Sequence, residues 1–195
     1  MNRFKPLLIA AALMTCAAPA AVLAQVGPAP RPRAGEPVAQ VSVRLGQQIG
    51  SMAGRYGQRE LDQLAEVLQG RIALDAAKGG FTRADLVLED ARPNRPTLQQ
   101  QSIRSELSSQ SRALGGAWVS GTLTRADGST EPLTYSYFAS DLLSSTGFTT
   151  WYDAERAFDW LGNELAHGKV SKRLGPGTPN PYRCQSSFDV WCTGV

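Results

Sequence analysis

Two apolar stripes at helical spacing, one on each side of a stretch of alternating residues, limit what this chain can fold into. Leu61, Leu64, Ala65, Leu68 and Ile72 recur at i, i+3, i+4, i+7 and i+11, and Trp151, Ala154, Phe158, Leu161 and Leu165 step by three, four, three and four. Each set makes one face of a 3.6-residue helix that must bury itself against something. Between them, residues 117–125 place Val119, Gly121 and Leu123 opposite Trp118, Ser120, Thr122 and Thr124, and Leu133, Tyr135 and Tyr137 alternate after the Asp127-Gly128 turn. A period of two with a turn-forming pair in the middle predicts a β-hairpin.

Val41, Val43 and Leu45 predict a half-buried strand over Val38 to Leu45, and Leu86, Val87 and Leu88 a short one from about Ala84 to Glu89. Gly79-Gly80 and Gly168 are the expected helix ends, and Thr150 the expected cap of the second helix, with Asp153 favouring its N-terminal dipole. Residues 46–57 are expected only to connect strand to helix. The polar stretch from Gln99 to Arg112 is compatible with a weak helix or a long loop. The expected fold is therefore α+β: a two-layer sandwich of a small, mainly antiparallel sheet with both amphipathic helices on one face.

The ends of the chain read differently. Arg3 and Lys5 precede an apolar run from Pro6 to Ala18, and Val22-Leu23-Ala24 supplies the small residues of a cleavage site. This predicts a signal peptide over 1–24, with a periplasmic or secreted product. Lipidation at Cys16 is the alternative, but Thr15 stands where a small residue belongs, so no membrane anchor is expected. Prolines 28, 30, 32 and 37 make 25–37 a flexible arm. The domain then covers 38–168, and 169–195 is an irregular tail rich in Gly and Pro. Cys184 and Cys192 are the two cysteines left after processing, and an oxidising compartment predicts a disulfide between them.

Composition narrows the function classes. Of 195 residues, 20 are Lys or Arg and 17 Asp or Glu; the signal peptide removes two of the basic ones, so the excess shrinks to +1 and gives no reason to expect nucleic acid. His167 is the single histidine, placed in the last turn of a helix where it suits the free carbonyls, and no nucleophile elbow accompanies it. No metal-ligand spacing and no phosphate loop appears, so no metal or cofactor is expected.

Two candidate sites emerge. The segment from Asp90 to Thr97 is stiffened by Pro93 and Pro96 and carries Arg92, Asn94 and Arg95; with Asp90 these form the expected recognition surface. The competing possibility is that Asp90 and Asn94 make local turn bonds while the arginines pair with acids. The second candidate is a set of carboxylates, Glu89, Asp90, Asp141 and Asp153, placed at strand ends and a helix start where general acid–base pairs can form.

The runs Leu86-Val87-Leu88-Glu89-Asp90-Ala91, Gly115-Gly116-Ala117 and Thr150-Trp151-Tyr152-Asp153-Ala154 make residues 38–168 resemble small exported bacterial envelope proteins known mainly as domains of unknown function. The resemblance implies a periplasmic or outer-membrane-associated accessory role and carries no catalytic residues with it. The expectation is a non-enzymatic binding protein whose partner is another envelope protein or envelope component. A small secreted hydrolase working through paired carboxylates and an inhibitor that inserts a stiff loop are the alternatives.

Overall fold

A computed structural model describes residues 35–170, apart from 144 and 146. The predicted signal peptide, Cys16, most of the proline-rich arm, and the tail with Cys184 and Cys192 lie outside the described residues. The chain runs β1 (Gln40–Leu45), α1 (Gln47–Ser51), α2 (Ala53–Tyr56), α3 (Gln58–Lys78), β2 (Phe81–Arg92), α4 (Leu98–Ile103), β3 (Gly116–Arg125), β4 (Thr130–Phe138) and α5 (Tyr152–Ala166). The four strands form one mixed sheet in the order β1-β2-β3-β4. β1 and β2 are parallel, and the other two pairings are antiparallel. The fold is α+β.

Register explains the core. Val41, Val43 and Leu45 pair with Ala84, Leu86 and Leu88, and these in turn meet Leu123, Gly121 and Val119. Gly121 and Val119 continue to Leu133 and Tyr135 on β4. With a side-chain period of two, these residues share one face. The helical stripes close over it: α3 packs on β1 and β2, α5 on β3 and β4, and the helices on each other. Leu61, Leu64, Leu68, Ile72, Trp151, Phe158, Leu161 and Leu165 are all fully buried there, each contributing about 1.5–3 kcal/mol. Ser42, Arg83, Asp85, Thr122 and Thr124 take the other, solvated face.

Some boundaries differ from expectation. β2 extends to both sides of the predicted 84–89 because it is a central strand, paired along most of its length by β3, while register shifts near Phe81 and Glu89 break its alternation. The 46–57 connection folds into two short helices, α1 and α2, whose buried anchors are Ile49 and Tyr56. Within the polar 99–112 stretch, helix is confined to the single short α4, started by a Thr97–Gln100 capping box.

At the far end of the molecule α3 and α5 cross at backbone distance. A Cβ on Gly79 would lie 1.8 Å from the carbonyl oxygen of Leu165. Higher up, Arg71 of α3 ties the helices by an ion pair to Glu155 at 3.0 Å and a second to Asp159. His167 accompanies the end of α5 as expected, with Nδ1 2.7 Å from the Asn163 carbonyl oxygen.

Candidate functional site

β2 delivers Pro93, Asn94, Arg95 and Pro96 to the end of the sheet where α5 begins. Asn94 is 2% exposed, and its bonds are long-range. Its backbone N–H donates to the Thr150 carbonyl at 2.7 Å, and its carbonyl accepts from the Ala113 N–H at 2.9 Å. The side-chain Oδ1 accepts the backbone N–H of Asp153 at 2.7 Å, from 59 residues away. Nδ2 donates to Asp153 Oδ2 and to Ser145 Oγ. Every donor and acceptor type of the amide is used. Gly115 leaves room for it, since a Cβ there would approach Asn94 Oδ1 to 2.4 Å.

This arrangement replaces the expected cap of α5. Trp151, not Thr150, occupies the cap position and makes no side-chain cap bond. The free N–H of the first turn is satisfied instead by Asn94, a cap supplied by tertiary structure. Thr150 is buried, and its carbonyl receives the Asn94 N–H.

Around this polar knot the arginines meet aromatic rings. Arg92 lies 5.1 Å from the Phe138 ring centroid and 3.5 Å from an Asp90 carboxylate oxygen. Arg95 lies 5.6 Å from the Phe148 ring centroid and donates to the Ser109 and Gly147 carbonyls at 2.8 and 3.4 Å. Arg112 donates to the Leu142 and Ser145 carbonyls. Asp90 is buried, and burial raises its carboxyl above the ordinary range while Arg92 pulls it down. Thus Asp90 and Arg92 form a pair, Arg95 serves neighbouring backbone, and Asn94 is the enclosed centre. The other partners, Phe138, Arg112, Ser145 and Phe148, went unnoticed in the sequence because nothing local marks them.

The four candidate carboxylates go to different environments. Glu89 accepts the Ser120 hydroxyl at 2.5 Å. Asp153 is fully enclosed against Asn94, Asp90 faces Arg92, and Asp141 stands on the exposed connection after β4. Among the described residues no three His, Cys, Asp or Glu side chains gather in a way that could hold a metal ion.

Beneath the loop, Glu60 of α3 accepts the Trp151 indole N–H at 3.2 Å and the Leu98 backbone N–H at 3.1 Å, and Tyr56 packs edge-on to Trp151 at 5.7 Å. Burial, reinforced by the negative charge of Asp90, pushes the Tyr56 hydroxyl up to about 12, against the lowering effect of Arg55 and Arg92. An unfolded tyrosine ionises near 10, so the folded state holds this proton more tightly and loses stability as pH rises from 10 to 12. The loss expected from this group is about 2–3 kcal/mol. Urea unfolding at pH 9 and at pH 11.5 should show it, and Tyr56→Phe should flatten the decline; an equal decline in both proteins would exclude Tyr56 as its source.

Comparison with family models, curated proteins and solved structures finds no match. Among the described residues no helix is long and apolar enough to cross a membrane.

Proposed function

We propose that this chain is an exported accessory protein of the bacterial envelope, working by binding another envelope component and not by catalysis. Its location rests on the signal sequence with cleavage after Ala24 and on the resemblance of residues 38–168 to small exported proteins of the envelope. In the periplasm Cys184 and Cys192 would join as a disulfide and close the tail. The binding role is supported chiefly by the mounting of Arg92 and Arg95. Both lie against aromatic rings, Phe138 and Phe148, on a segment whose backbone is pinned through buried Asn94. Arginine beside aromatic side chains is the composition of binding hot spots, and a segment already fixed in place loses little entropy on association.

The test is site-specific photocrosslinking in intact cells. A photoreactive residue at exposed Gln99, beside the loop, should capture a discrete envelope partner, and the same residue at exposed Thr122 on the open sheet face should not. Arg92→Ala with Arg95→Ala should abolish the Gln99 adduct while leaving thermal unfolding cooperative. Identical adducts at both positions, or an adduct indifferent to the arginines, would remove this face from consideration.

A further inference from the structure

The connection between β4 and α5 presents apolar side chains to solvent. Leu143 and Phe148 are each 89% exposed and Leu142 is 47% exposed. Side chains this exposed project from the surface and line no groove. Three carbonyls beneath them are bonded to arginines: Arg112 donates to those of Leu142 and Ser145, and Arg95 to that of Gly147. Carbonyls are neutral partners and bring no opposite charge to either guanidinium. Among the described residues neither has a carboxylate within 4.0 Å. The acid of the same connection, Asp141, has Ser140 as a hydrogen-bond donor at 3.4 Å, and Glu106, in the stretch before Arg112, is paired with Arg104 at 2.7 Å.

We infer that this end of the molecule docks reversibly on an anionic lipid surface, with Leu142, Leu143 and Phe148 entering the acyl boundary and Arg95 and Arg112 meeting lipid phosphates. Projecting apolar groups backed by uncompensated guanidiniums match the layering of a bilayer, where phosphates overlie hydrocarbon. Acyl chains can surround such groups without a preformed complementary cavity. Three side chains amount to a peripheral contact and not an anchor. It shares Arg95 and Phe148 with the face assigned to Arg92 and Arg95, so the two are told apart by their readouts, vesicle flotation for this one and the Gln99 adduct for the other.

Flotation of residues 25–195, which contain the whole described core, tests it with vesicles of phosphatidylcholine and phosphatidylglycerol in equal parts. The protein should float with them at low salt and bind about tenfold less to pure phosphatidylcholine. Leu143→Ser with Phe148→Ser should lower binding by about tenfold with little movement of the unfolding midpoint, because both side chains are 89% exposed and the Arg95 contact of Phe148 is a surface one. Absence of flotation, or flotation equal for the two proteins, overturns the inference. Self-association that the double variant loses, without flotation, also overturns it and assigns the apolar patch to a second copy of the chain.

Discussion

Asn94→Ala is expected to destabilise the fold by about 3–5 kcal/mol, measured by urea unfolding at neutral pH. The substitution removes the donor to a fully enclosed Asp153 carboxylate, the acceptor for the Asp153 backbone N–H, and the donor to Ser145. Arg156, 3.6 Å from the other Asp153 oxygen, stays but is too distant to replace them. Stranded polar groups in a dry site cost far more than the net worth of the bonds they made. Asn94→Asp should be as damaging at neutral pH, because it sets two carboxylates against each other, and should recover as acid lets the pair share a proton. A loss under about 1 kcal/mol for Asn94→Ala would mean that Asn94 is not the pin of this loop.

Gly79→Ala is expected to cost about 3 kcal/mol or more, with a lower urea midpoint. Gly79 has φ −79°, an ordinary backbone conformation, so strain in its own dihedrals is not the cause. The cause is the Leu165 carbonyl, 1.8 Å from the added carbon, with the Gly168 nitrogen 3.2 Å away. Both obstacles are backbone, so relief requires moving the end of α5 away from α3. Gly50→Ala is the matched control. Nothing lies within 4 Å of the added carbon there, and alanine in α1 should stabilise by up to about 1 kcal/mol. If both substitutions behave alike, close approach at Gly79 does not limit the packing of the two helices.

The fold was legible where the signal is local. The stripes of α3 and α5 and the alternation of β3 and β4 are written in residues a few positions apart, and burial follows them from Leu61 to Ile72 and from Trp151 to Leu165. What could not be read there is held by distant partners. The parallel pairing of Val43 with Leu86 depends on α3 returning the chain, and no alternation distinguishes a parallel neighbour from an antiparallel one. α1 and α2 are too short to display a period. At the candidate site, the stiff segment around Pro93 and Pro96 stood out, but the role of Asn94 did not. Its side-chain partners Ser145 and Asp153 are 51 and 59 residues away, and the polar composition around Asn94 suits a surface turn equally well. Arg112 lay in a Gln- and Ser-rich stretch with nothing to set it apart.

The knot at Asn94 also joins parts of the chain that are synthesised at different times. The strands lie side by side in the order in which the chain is synthesised, so the sheet can assemble as its segments appear. Apart from the Ala113 N–H, the groups that pin Asn94 come late: Ser145, the Thr150 carbonyl and Asp153 all follow β4. A chain interrupted before Thr150 therefore has all four strands, yet lacks the latch that positions Arg92 and Arg95. Among the described residues α5 comes last in the chain, and the placing of Arg92 and Arg95 depends on it.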